Sequence, residues 1–190
     1  MTNHWHHFAI LAVFIASAFL GSLSQPHIVP RAVVPLAQGS SASAGQTCVA
    51  MCLNSVTGQT LNDEQINEKY GFALLKALNV ESEPLNLHWI DAGDLSDSSW
   101  ERIDRKVNIE KLPVIVALNG PEFSPSERGH IVTVIKTVGP VVTLADPASG
   151  CLRETTKQLM NQASKHPDGN FVFLAEPWQF DHQAEQQPTE

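Results

Sequence analysis

The chain has too little positive charge to be built for nucleic acid. Lys and Arg total 12 against 20 Asp and Glu, a formal charge of −8, and the basic residues form no stripe interleaved with aromatics. A phosphate backbone or an anionic membrane surface is therefore a poor partner. Cysteine occurs three times in 190 residues, as Cys48, Cys52 and Cys151. Cys and His do not group at ligand spacing, so no zinc site is expected, nor any other metal or organic cofactor. No internal repeat is found. The length suits one domain with a real core and is too short for two of ordinary size.

Long apolar runs are missing too, with one exception. Phe8 to Gly21 is almost wholly apolar and gives way to Ser22-Leu23-Ser24-Gln25, small and polar. That run is short for a bilayer span but right for the apolar part of an export signal. The segment Met1 to His7 ahead of it has no Lys or Arg. Residues 1–24 are read as a signal peptide cut before Gln25, or else as an uncleaved anchor, the chain's one route to a membrane. His4, His6 and His7 fall inside this leader and carry no metal reading. The mature protein is expected to be secreted or periplasmic, where thiols seldom stay idle. Three cysteines cannot all pair, and a Cys52–Cys151 disulfide would leave Cys48 free.

Residues 25–45 are rich in Pro, Ser, Ala and Gly and read as extended, then flexible. A helix carrying Cys48 is predicted to stop at Gly58. A second, capped by Asn62 with Gln65 three residues on, ends near Tyr70, and Phe72 to Leu78 forms a third. Strands are predicted at Leu85–Ile90, Pro113–Leu118, Ile131–Ile135, Val141–Leu144 and Phe171–Leu174, with helices over Asp97–Val107 and Thr155–Lys165. Helices first and a mostly antiparallel sheet afterwards make an α+β fold. The domain covers 46–180, and 181–190 is a polar, acidic, disordered tail.

The chemistry is sought around Gly45-Gln46-Thr47-Cys48. With Thr47 as N-cap, Cys48 would take the first helical position, where the aligned peptide dipoles favour thiolate over thiol. A buried cysteine behaving as a small hydrophobe is the alternative, and Cys52 reads that way. His130 opens a strand in Gly129-His130-Ile131-Val132, and Asp146 closes the next in Leu144-Ala145-Asp146-Pro147. If a hairpin around Gly139-Pro140 joins them, the two lie level and an imidazole can be held against the sulfur. His27, His88, His166 and His182 have no motif around them and read as solvated or structural.

These stretches together, from a Cys at a helix start to Gly-His-hydrophobic and Asp-Pro-Ala-Ser-Gly, resemble papain-like cysteine peptidases of the bacteriocin-leader (double-glycine) type and related bacterial effector proteases. The resemblance covers roughly Val33 to Leu174. It implies helices packed on an antiparallel sheet, with Cys48 as nucleophile, His130 as base and acid, Asp146 fixing the imidazole, and a Gln completing the oxyanion hole. That Gln usually lies about six residues before the Cys. Here Gln38 lies ten before it and Gln46 two, and Val49 follows the Cys in place of the usual Gly or Trp. The implied activity is hydrolysis of a peptide or isopeptide bond through an acyl-thioester, on a peptide or protein substrate. A transglutaminase-like acyl transferase and an inactive peptide-binding protein of the same fold are the alternatives.

Overall fold

The computed structural model describes residues 28–39, 43–120, 122–124, 128–163 and 165–177. The expected leader and the polar tail lie outside them. Helix α1 spans Ala44–Thr57. Its N-cap is Ser43, whose backbone N–H donates to Gln46 Oε1 at 3.0 Å, half of a capping box. Gly58 closes it in the left-handed region, φ 74°, with its N–H donating to Asn54 O at 3.1 Å. Asn62 and Gln65 exchange side-chain and backbone hydrogen bonds of 2.9 Å to start α2, Asp63–Tyr70. Helix α3, Leu74–Ser82, follows.

Six strands form one antiparallel sheet in the order β1-β6-β2-β3-β4-β5. They are β1 Leu87–Asp91, β2 Val114–Leu118, β3 His130–Val138, β4 Val141–Asp146, β5 Cys151–Thr156 and β6 Val172–Pro177. Both faces are covered, which is why β2 is buried at every residue. On one face α1 lies against Ile115, Ala145, Phe173 and Ala175, and α1 is apolar almost all round because α2 and α3 enclose its other sides. On the other face Trp100 and Ile103, from α4 (Trp100–Asp104), and Met160, from α5 (Lys157–Gln162), pack on Val116, Val132, Val134 and Leu144.

Helices followed by an antiparallel sheet match the α+β expectation. Four details depart from it. The Asp97–Val107 helix is composite: a 3₁₀ turn at Asp97–Ser99, then α4, then a π-helix at Arg105–Glu110. From this segment the buried Lys106 ammonium reaches Glu110 at 2.7 Å and Glu176 at 2.6 Å. Residues Cys151–Thr156 form a strand, so the helix expected over Thr155–Lys165 begins only at Lys157. Strand β3 continues to Val138, which pairs with Val141, and a bulge between Val134 and Lys136 then shifts the register by one, so that Thr133 faces Ala145. Asp146 is consequently diagonal to His130, not level with it. Finally, 28–39 is neither helix nor strand, as read, yet it is fastened. Arg31 N–H donates to Ser55 O at 2.8 Å, Gln38 N–H to Pro147 O at 2.9 Å and Gly39 N–H to Asp63 Oδ2 at 2.5 Å, while Val33 and Leu36 pack on the α1 core.

Candidate active site

The start of α1 meets the start of β3, and a cleft of about 320 Å³ opens between them. Ser43 and Ala44 form one wall, Gly129, His130 and Ile131 another. His166, Asp168 and Phe171, from the approach to β6, close a third side, and Phe72 and Leu74 stand at the mouth.

His130 is 8% exposed and Asp146 is buried beneath it. Alternate strand residues share a face, so the diagonal pair meets, with His130 Nε2 lying 2.7 Å from Asp146 Oδ1. Asp146 also accepts from the Ala148 N–H at 3.0 Å and from Arg153 Nη1 at 3.1 Å. Burial by itself would raise the carboxyl, but the hydrogen bond and charge of His130, the Ala148 N–H and Arg153 outweigh it and hold Asp146 at about 2. The carboxylate thus fixes Nε2, and Nδ1, without a hydrogen bond to the described residues, is the nitrogen left to the cleft.

Cys48 is not in the cleft wall. The N-cap expected at Thr47 is Ser43, four residues earlier, because Gln46 completes its capping box there. That moves Cys48 to the fifth helical position, one full turn inside. Its sulfur is 0% exposed, belongs to the apolar core beside Ile115 and Ala145, and donates to Ile131 O at 3.4 Å. Burial pushes the thiol far above the ordinary range, Thr133 opposes this, and the Asp146 charge adds to it. The field of a helix start fades within its first turn, so the thiolate expected at Cys48 has nothing to support it. Cys52 is likewise buried, with its thiol pushed up by desolvation first and Cys48 second. The expected Cys52–Cys151 bridge is not made: all three cysteines are free, and Cys151 is exposed on β5 while Cys52 is in the core.

The two candidate oxyanion glutamines separate as well. Gln46 is wholly buried, its Oε1 capping Ser43 and its Nε2 donating to Gly71 O at 2.9 Å and Asn67 Oδ1 at 3.3 Å. Its amide is a structural brace and cannot serve the cleft. Gln38 is exposed, and its backbone is anchored at Pro147, next to Asp146.

Two residues of the site, His166 and Arg153, carry no motif in the sequence, and a third, Gly129, stands in the Gly-His motif with a role the motif does not reveal. His166 enters from the segment before β6. Burial lowers its affinity for a proton, Asp168 opposing and His130 reinforcing. Gly129 sits at φ 78°, and a Cβ there would overlap the His166 ring. Arg153 arrives on β5, the strand the sequence does not reveal. Among the described residues no group of three or more His, Cys, Asp or Glu is arranged to hold a metal.

No family model matches the chain, and no curated protein matches it in sequence. Solved structures match it in shape. A C39-like peptidase from Bacillus anthracis is 15% identical at a TM-score of 0.56, over 79% of this chain and 98% of that one. The peptidase domain of Streptococcus ComA, a bi-functional ABC transporter involved in quorum sensing, is 12% identical at 0.52, over 76% and 98%. A double-glycine-motif protease from an AMS/PCAT transporter, solved with its leader peptide, is 18% identical at 0.48, over 78% and 94%. The chain thus has the papain-like fold of the C39, or bacteriocin-leader, peptidases, the architecture its sequence resembles.

Proposed function

We propose that this chain is an exported peptide-binding protein, which uses the cleft of a peptidase fold to hold an extended peptide and does not cut it through Cys48. One observation carries the reading: the cleft wall holds an imidazole fixed by a carboxylate, yet the sulfur that should face it is sealed in the core. A thiol peptidase needs its nucleophile within reach of the base and of the scissile carbonyl. An acyl transferase acting through Cys48 meets the same obstacle. What remains is a concave site with aromatic walls at Phe72 and Phe171 and a few convergent polar groups, the makeup of a ligand cleft. The peptidase neighbours in shape support a peptide as ligand, and the apolar run Phe8–Gly21 supports a secreted or periplasmic setting, with a mature start near Gln25.

The test uses the exported chain and fluorescein-labelled decapeptides of randomised sequence. Anisotropy should rise and be competed by unlabelled peptide, mass spectra should gain no fragments, and Cys48→Ala should change neither result. Native protein should take up one iodoacetamide, at Cys151, and three only after denaturation. Fragments that appear with the wild type and vanish in Cys48→Ala would restore the thiol peptidase and end this proposal.

A further inference from the structure

We infer that Ala44 occupies the reacting position of the cleft, so that the wild-type chain holds a latent hydrolytic centre whose missing part is the nucleophile. The inference rests on the peptide-cleft reading above and adds to it a residue and a chemistry.

Ala44 is the first residue of a 14-residue helix and lines the cleft together with His130. The helix's own ladder begins with Thr47 N–H donating to Ser43 O at 3.3 Å, which leaves the N–H groups of Ala44, Gly45 and Gln46 outside it. Those dipoles give residue 44 the positive potential that residue 48 lacks. The helix start does not stand alone. The His130 side chain is nine-tenths buried, its Nε2 is taken by Asp146, and its Nδ1 has no partner among the described residues. Ser43 does not use that nitrogen, because its hydroxyl is bonded to Gln46 Oε1. Gln38 lies on the segment whose backbone is fastened at Pro147 beside Asp146, so a further polar side chain starts close to the pair. Ala44 itself is only partly buried and lines the cleft, so room for a larger side chain lies beside it.

A sulfur at residue 44 would therefore be activated at once. His130 Nδ1 takes the thiol proton, and the thiolate attacks the carbonyl carbon of an ester such as p-nitrophenyl acetate. The C–O bond breaks and p-nitrophenolate leaves while His130 passes the proton it holds to solvent, with an acetyl-thioester left on the protein. Water then attacks that thioester and gives one proton to the neutral His130; the C–S bond breaks, acetic acid leaves, and His130 returns its proton to the sulfur.

The experiment places Ala44→Cys in a Cys151→Ser background, so that residue 44 carries the one accessible thiol. Its alkylation rate by iodoacetamide should inflect about two pH units below the ~8.5 of a free cysteine. p-Nitrophenyl acetate should release a burst of one equivalent of nitrophenolate. Adding His130→Gln should return the inflection to the free-thiol range and remove the burst. An ordinary inflection, or one indifferent to His130→Gln, overturns the inference. So does loss of the fold in Ala44→Cys on circular dichroism, since the position would then be packed and closed to the cleft. Failure here is separable from failure of the peptide-binding reading. An inert thiol at residue 44 beside intact decapeptide binding by the wild type sinks the latent centre alone, and an activated thiol without binding sinks the binding alone.

Discussion

At the scale of single residues, Gly129 shows how tightly the site is assembled. Its φ of 78° lies where only glycine sits without strain, and a Cβ would also collide with the His166 ring. Either penalty alone costs about 1 kcal/mol. Gly129→Ala should therefore lower stability by roughly 2 kcal/mol in urea unfolding. The two contributions can be separated, because His166→Ala in the same chain removes the collision and leaves the strain, so it should recover about half of the loss. No recovery would mean that the ring is not the obstacle. The same scale explains what the sequence revealed of the site and what it hid. His130 and Asp146 were legible because Gly-His and Asp-Pro stand at strand ends. The true start of the helix was legible too, since Ser43-Ala44-Gly45-Gln46 has the spacing of a capping box. Thr47, the cap expected beside Cys48, has no reciprocal partner of that kind and lies one turn inside the helix. His166 could not be found this way: no local pattern surrounds it, and only the long-range meeting of the β6 approach with β3 brings it to the cleft.

At the scale of elements, the helices were the most readable, since Asn62 with Gln65 and the stop at Gly58 are local signals with local causes. Strand β5 was not. Cys-Leu-Arg-Glu-Thr-Thr carries charge where a strand usually carries apolar residues, because β5 is the sheet's edge and five of its six residues are exposed or only partly buried. Charges on an edge strand discourage pairing with another chain. In this fold one of them does more. Arg153 reaches inward to Asp146 Oδ2 at 3.1 Å, with its guanidinium 5.0 Å from the Phe123 ring, and outward to Glu122 at 3.4 Å. The inner contact is to a buried carboxylate and the outer one to an exposed side chain, so they should differ in weight. Arg153→Ala is expected to cost about 1–2 kcal/mol at neutral pH, and Glu122→Gln less than about 0.5 kcal/mol. Equal losses in urea midpoints would show that β5 holds its arginine for the surface pair and not for the site.

At the scale of the whole molecule, the shifted titratable groups fall into two sets, His166 and Asp146 at the cleft and Glu81 and Glu176 away from it, so the pH dependence of stability can be divided between them. His166 binds a proton less readily folded than unfolded. Its contribution is therefore complete above the ordinary histidine value of about 6.5 and is lost as the pH falls below it. Asp146 is depressed to about 2 in the folded chain, against about 3.9 when unfolded. Its contribution, on the order of 2 kcal/mol, is complete above the unfolded value and is lost as the pH falls through 2. Glu81 and Glu176, held low by Lys69 and Lys106, lose stability on that same lower limb once their partners face neutral carboxyls. Urea midpoints measured from pH 8 to 2 should thus fall in two limbs. His166→Gln should flatten the upper one and leave the lower intact, while Asp146→Asn should shorten the lower limb without abolishing it. An upper limb unchanged in His166→Gln would place that proton elsewhere in the molecule, and the cleft would lose its claim to be what acid opens first.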